Sequence, residues 1–504
     1  MRDLIIDCFA GGGGASVGIE MGLGRTVDIA INHDPEAIRM HKTNHPDTLH
    51  LTEDIFKVDL QKYVKDRHVA LMWASPDCTS HSKAKGGKPR ESGLRILPWA
   101  VYKHAKVILP DVIIMENVEE IQQWGPLDDK GYPIPEKKGE EYKKFITAMK
   151  TLGYIFDSRE LVAADYGAPT IRKRWYAIFR RDGKSIVWPK PTHNKNGTDG
   201  LEKWVPAHTV LDFSNMGKSI FDRKKPLADK TLNRIGRGLR KFVFESPDPF
   251  LIHVDSDIKE THPASGESTQ FKAQKSIFGK DALTIAPFID KAYGGNYSGS
   301  GCKTDEPLHT ITTVDHHRLV SAFLTKFYRT GSGQSLFKPL HTITTSPGHF
   351  GQVSVLMAQK DDLLKAGVTE ETAQKCTWVS QFVMEYYGCG TGQSMNEPLH
   401  TIVTKERFAL ITVLGNEYIL LDIMLRMLTA EELKLAQGFP RDYIIHRDYR
   451  WKTYPIYERV RRIGNSVVPI MAQKLVEANC PYLKEGERMP NMLLIDDEQQ
   501  LRFA

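Results

Sequence analysis

Long apolar runs are missing from this chain. None reaches the roughly 18 to 20 residues that a membrane-spanning helix needs, so no membrane anchor is expected. The opening MRDLIIDCFAGGGG has an apolar patch of three residues, then an acid and glycines, which does not read as a signal peptide. A cytoplasmic location is the expectation. Paired cysteines are missing as well. Six cysteines stand at positions 8, 78, 302, 376, 389 and 480, and no two form a C-x-x-C pair. That argues against a zinc site, so no metal is expected, and in a reducing cytoplasm the thiols are expected to be free. Excess charge of one sign is also lacking. There are 68 basic and 62 acidic residues, net +6, a balance that permits a nucleic-acid partner without demanding one.

What is present is a chain of 504 residues, long enough for two domains with separate cores. Hydrophobic residues make up 41% and charged residues 26%, as in ordinary globular proteins. Short apolar runs at Leu4–Ile6, Val27–Ile31, Val69–Trp73, Val112–Met115 and Trp175–Phe179 are separated by polar, periodic stretches such as Pro35–Asn44 and Glu140–Leu152. This alternation predicts an α/β domain with an open, mostly parallel sheet and helices on both faces. Ligands of such sheets bind at the carboxyl ends of the strands.

The alternation fades after about Pro191, and a charged stretch with Pro and Gly runs from Lys190 to Lys203. The region beyond is rich in Gly, Ser, Thr and His and carries a repeat. One copy reads PFIDKAYGGNYSGSGCKTDEPLHTITT from Pro287. A second, AFLTKFYRTGSGQSLFKPLHTITT, starts at Ala322, and a third, QFVMEYYGCGTGQSMNEPLHTIVT, at Gln381. A strand, a glycine turn and a second strand are expected of each. The Phe, Leu and Ile positions suit a core; the turn residues and His309, His341 and His400 are the candidates for outside contact. Helical periodicity returns at Thr429–Gln437 and Val468–Asn479. The simplest arrangement is one α/β domain (1–200) interrupted by a β-rich insertion (201–421) and completed by 422–504.

Four loops carry candidate chemistry. Asp7-Cys8-Phe9-Ala10-Gly11-Gly12-Gly13-Gly14 follows the first strand. Its glycines allow a tight turn and close approach of a ligand to a helix N-terminus, but such a loop serves a dinucleotide, S-adenosylmethionine or no ligand at all. The second strand ends at Ile31-Asn32-His33-Asp34, where a polar side chain meets ribose hydroxyls in nucleoside-binding domains. Asp54-Ile55 offers a carboxylate that could accept from an adenine amino group. Ala74-Ser75-Pro76-Asp77-Cys78-Thr79 places a cysteine just past a strand end, where it is either a nucleophile or an inert thiol. The basic KAKGGKPR after it suits phosphate or plain solvent. Glu116 ends the next strand.

Taken together, DCFAGGGG, SPDC, ENV and GAPTIRKRWYAIFR, in that order, resemble the cytosine-5 DNA methyltransferase family. Arg426-Met427-Leu428-Thr429 through Gln437-Gly438-Phe439-Pro440 and Arg462-Ile463-Gly464-Asn465-Ser466-Val467 resemble its last two motifs. The resemblance covers roughly 1–191 and 422–475, and the insertion lies where the family keeps its target recognition domain. It implies a Rossmann-like S-adenosylmethionine-dependent methyltransferase fold with an inserted, β-rich recognition domain. Cys78 would attack carbon 6 of cytosine, Glu116 would hydrogen-bond the ring, and Arg172 and Arg174 would hold the base or its phosphate. Phe9, Ala10, Gly11, Gly13, Asn32, His33, Asp54, Ile55, Pro76, Asn465, Ser466 and Val467 would line the site for S-adenosyl-L-methionine. Implied partners are double-stranded DNA, engaged by a monomer, and a cognate restriction endonuclease where the enzyme belongs to a restriction–modification pair.

The chain departs from the family pattern at three places. Asp77 and Thr79 flank the cysteine where Pro and Gln are usual; a carboxylate beside a thiol is expected to raise its pKa. Asn32 replaces the acidic ribose partner, and Thr170 replaces the Gln before the Arg-x-Arg pair.

Overall fold

The computed structural model describes residues 2–78, 81, 91–215, 217–221, 223–244, 246–254, 260–261, 268–269, 283–292, 299, 301–314, 316–326, 356–359, 407–413, 416–485, 494–495 and 501–502. The basic loop 83–90, the second repeat copy beyond residue 326, the whole third copy, and with them His341 and His400, lie outside the described residues. Contacts divide the chain into two units: 1–210 with 307–314 and 429–504, and 211–306 with 315–428.

The first unit is built on seven strands: β1 (Leu4–Cys8), β2 (Ile29–Asn32), β3 (Leu49–Thr52), β4 (Val69–Ala74), β5 (Val112–Asn117), β6 (Ile155–Val162) and β7 (Lys173–Arg180), in the order β3-β2-β1-β4-β5-β7-β6. The first five are parallel; β7 runs antiparallel to both β5 and β6. Each predicted apolar run is a strand. The two strands that the apolar pattern did not mark are the sheet edges, β3 and β6. An edge strand needs less burial: only Leu51 is buried in β3, and no residue of β6 is fully buried.

Alternate residues of the central strands point to opposite faces, and both faces are covered. Ile6, Ile31, Met72 and Ile113 join Phe145 and Phe179 on one side. Ile5, Ala30, Leu71 and Ile114 join Ile19, Met471 and Leu475 on the other. Burial of both faces is why these strands read as continuous apolar runs.

Two helices show how local sequence sets their ends. Helix α2 (Pro35–Asn44) starts with Asp34 accepting a hydrogen bond from Glu36 N at 2.9 Å, has Pro at its first turn, and ends with His41 and Lys42 near its carboxyl end. Thr429 caps Ala430–Ala436 through a reciprocal box: Glu432 N donates to Thr429 Oγ1 at 3.2 Å, and Thr429 N donates to Glu432 Oε2 at 2.7 Å.

Helix α1 (Gly14–Leu23) packs against the carboxyl-terminal helix Pro469–Asn479 through a stripe of glycines at i, i+4 and i+8. A Cβ on Gly14 would stand 2.1 Å from Ser466 Oγ, one on Gly18 2.1 Å from the Pro469 carbonyl, and one on Gly22 2.9 Å from Val476. The glycines let the last helix lie directly on the first, which ties residues 429–483 into the same core.

The second unit contains an antiparallel sheet with strands Ile252–Val254, Leu283–Lys291, His317–Lys326, Asn416–Met427, Arg407–Val413 and Leu356–Gln359 in that spatial order. Cys302–Lys303 pairs antiparallel with Ile289 and Phe288, so the first repeat copy has the two expected strands, while most of its glycine turn lies outside the described residues. Its Pro-Leu-His-Thr-Ile tail does not stay with that sheet: 307–314 clusters with the first unit. No described helix is long and apolar enough to cross a membrane.

Candidate active site

The carboxyl ends of β1, β4 and β5 lie side by side, so the loops after them share one edge. Ser75 N donates to Cys8 O at 3.3 Å, joining the loops after β4 and β1. Asn117 Nδ2 donates to Pro76 O at 3.0 Å, joining the loops after β5 and β4, while its Oδ1 accepts from Val118 N at 2.9 Å. Asn117 stands in the ENV motif, but sequence reasoning gave it no role of its own; in the structure it is fully buried.

Antiparallel β7 begins where parallel β5 ends, pairing Asn117 with Trp175 and Glu116 with Tyr176. Arg172 and Arg174 therefore reach the edge that carries Cys78 and Glu116. Arg174 Nε is 3.3 Å from Glu116 Oε1, and Arg172 Nη2 is 4.0 Å from the same oxygen. Glu116 and Arg172 are buried, at 6% and 4% exposure, so the charges face one another with little water to screen them.

This field acts on Cys78, which is half-buried. Burial pushes its thiol up; the Arg174 guanidinium is the largest opposing influence, followed by Glu116 pushing up, Arg172 pulling down, and Asp77 adding the least. Asp77 thus acts in the expected direction but weakly, and Arg174 outweighs Arg172 at the sulfur. Burial, then Arg174 beside it, brings the Arg172 guanidinium down to about 10, against the pull of Glu116 and Cys78. Cys8, Cys302 and Cys480 are buried; Cys376 and Cys389 lie outside the described residues. Burial drives the Cys8 thiol far up, which keeps it protonated and unreactive.

The glycine loop is built for close approach. Phe9 takes a left-handed backbone (φ 67°), and Gly11 and Gly13 follow at φ 51° and 89°. A left-handed phenylalanine stores roughly 1–2 kcal/mol of strain, the kind of local strain that clusters at ligand sites. Gly12, Gly13 and Gly14 face protein: a Cβ on Gly13 would meet Tyr443 Oη at 2.2 Å. Gly11 has only Phe9 O, at 3.7 Å, near its missing Cβ. Tyr443 supports the loop by donating to Gly12 O at 2.6 Å. Sequence reading did not single it out, because the contact spans 431 residues.

The remaining expected cofactor residues divide by surroundings. Asn32 Oδ1 accepts from Asp34 N at 2.8 Å, which leaves its NH2 end for a hydroxyl. His33 is exposed. Asp54 Oδ1 accepts from Phe56 N at 3.0 Å, and its second oxygen suits an amino group. Ile55 and Pro76 are buried, with Ile55 O accepting from His104 at 2.8 Å. Asn465 is exposed, whereas Ser466 and Val467 pack on Gly14, and Ser466 O accepts from Gln437 at 2.9 Å. An open glycine, an amide, a carboxylate and a half-buried phenyl ring fit a nucleoside with an amino-acid tail such as S-adenosylmethionine. Among the described residues no group of three or more His, Cys, Asp or Glu could hold a metal ion.

Residues 4–479 match the family described as C-5 cytosine-specific DNA methylase. Type II methyltransferase M.AquIA of Picosynechococcus sp. is 28% identical over 200 residues, 38% of this chain and 78% of that protein. M1.BsuMI of Bacillus subtilis, also named a Type II methyltransferase, is 26% identical over 346 residues, 65% of this chain and 73% of that one. The crystal structure of the S. pombe Dnmt2 methyltransferase superimposes with a TM-score of 0.45 at 15% identity, covering 94% of this chain and 98% of that chain. With a family match over nearly its whole length, this chain belongs to the C-5 cytosine-specific DNA methylases, which take their methyl group from S-adenosylmethionine.

Proposed function

We propose that this protein methylates carbon 5 of a cytosine flipped out of a specific duplex DNA sequence, through a covalent adduct with Cys78. The observation that carries the reading is the convergence of Cys78, Glu116, Arg172 and Arg174 at one sheet edge, with both guanidiniums within 4.0 Å of the Glu116 carboxylate. A cytosine stacked in a duplex hides carbon 6 from a side chain, so the base has to leave the stack. The Cys78 thiolate adds to carbon 6, and the ring electrons move to carbon 5. Glu116, hydrogen-bonded to the ring nitrogen and exocyclic amine, stabilises the charge that develops. Arg174 and Arg172 favour the thiolate over the thiol and hold the base or its phosphate. S-adenosylmethionine, held by the loop of Phe9 to Gly13 with Asn32 and Asp54, supplies the electrophilic methyl group. Loss of the carbon 5 proton then expels the Cys78 thiolate and leaves 5-methylcytosine.

Residues 211–306 and 315–428 are assigned to target recognition. The kinship with Type II methyltransferases supports a role in marking a sequence that a cognate endonuclease would otherwise cut; a phage-borne or orphan setting has the same chemistry. Bisulfite sequencing of DNA from cells expressing the protein tests activity, base and sequence together. Replacing the target cytosine by 5-fluorocytosine, which has no proton to lose, should leave a denaturant-resistant protein–DNA adduct on Cys78. Methylation without any such adduct would rule out the covalent route.

A further inference from the structure

The motif Pro-Leu-His-Thr-Ile occurs three times, beginning at 307, 339 and 398. The described copy is threaded into the catalytic unit although the chain arrives from the second unit and returns to it. Leu308 N donates to Pro169 O at 2.8 Å, and Ile171 N donates to Leu308 O at 2.9 Å, a parallel bridge to the loop that leads into Arg172. The Leu308 and Ile311 side chains are fully buried. Arg172 Nη1 donates to Ile311 O at 3.3 Å and to Gly464 O at 3.1 Å. On the other side, a Cβ on Gly464 would stand 2.2 Å from the Thr312 carbonyl, so the segment is gripped between the arginine loop and the end of the helix Ile456–Asn465. A buried guanidinium needs fixed acceptors. One of the two backbone acceptors recorded for Arg172 Nη1 is supplied by this segment.

We propose that Pro307–Val314 is a positioning element for the reaction, whose Ile311 carbonyl holds Arg172 in place beside Glu116 and Cys78. This rests on the reading of Cys78 as the nucleophile. It also assigns the described repeat copy a role inside the catalytic unit rather than on the DNA. Arg172 pulls the Cys78 thiol down, alongside Arg174 and against Glu116 and Asp77. A displaced Arg172 therefore leaves the sulfur less ionised.

The test uses the full-length protein with Ile311→Ala, and Ile311→Val as the conservative rescue. Alkylation of Cys78 by iodoacetamide is followed against pH, with the modified peptide quantified by mass spectrometry. Ile311→Ala should shift the alkylation midpoint to higher pH, and Ile311→Val should restore it. Methyl transfer should fall in kcat by about 10- to 100-fold. Combining Ile311→Ala with Arg172→Lys should cost little more than Arg172→Lys alone, because both act through one guanidinium. Should Ile311→Ala not fold, Gly464→Ala, which pushes Thr312 from the other side, should give the same alkylation shift. An unmoved alkylation profile, or losses that simply add, would overturn the proposal. The alkylation arm needs neither DNA nor methyl donor, so it is read even if methyl transfer fails.

Discussion

At the scale of residues, the chemistry turns on how four charges are ranked around one sulfur. Arg174 does more than Arg172 to favour the Cys78 thiolate, and Asp77 does least against it. Arg174→Gln should therefore move the acid limb of methyl transfer to higher pH, and Asp77→Asn should move it to lower pH by a smaller amount. A larger shift for Asp77→Asn in pH–rate profiles would contradict that ranking. Cys78→Ala should abolish transfer while leaving DNA binding intact, measured by labelled methyl incorporation and by a binding titration. A second carboxylate gives a stability signature. Burial pushes Asp7 up from 3.8 to about 7, with Ser16 Oγ donating to it at 2.7 Å. A folded-state pKa above the unfolded one contributes stability that is complete below about 4 and is lost as pH rises toward 7. Asp7→Asn should thus be more stable than the parent at pH 8, by at most about 4 kcal/mol. The gap should close as denaturation is measured nearer pH 4.

At the scale of elements, the glycine stripe of α1 decides how the two ends of the chain meet. Gly18→Ala puts a methyl 2.1 Å from the Pro469 carbonyl, and backbone cannot give way as a flexible side chain can. The expected cost is about 1–3 kcal/mol, read as a lower urea midpoint; an unchanged midpoint would mean the helices slide freely. Much at this scale was legible in the sequence. Strands buried on both faces appear as apolar runs, and α2 and the helix after Thr429 carry their caps in their own residues. The edge strands β3 and β6 were not legible, since one covered face leaves a weak pattern. The direction of β7 was not legible either, because the same eight residues fit a parallel or an antiparallel neighbour.

At the scale of the whole molecule, the insertion is not a simple block. Residues 307–314 cluster with the catalytic unit between two stretches of the other. Exchanging 315–428 for the matching stretch of a relative with another target should change the methylated sequence and keep turnover. Extending the exchange back through 307–314 with an unrelated segment should keep the new sequence but lower kcat. Bisulfite sequencing and single-turnover rates distinguish the two, and equal rates would argue that the segment is passive.

The sequence by itself determined the family, the methyl donor and the order of the loops, because motifs such as DCFAGGGG, ENV and RIGNSV are local strings that can be read without the fold. It also named Cys78, Glu116, Arg172 and Arg174 as one set. Only the tertiary structure decided why they meet. The antiparallel turn of β7 carries the arginines back to the edge where β4 and β5 end. The contact of Ile311 with Arg172 spans 139 residues, and that of Tyr443 with Gly12 spans 431. Such contacts are made by backbone carbonyls brought together in space, and a carbonyl leaves no mark on the residue type that carries it.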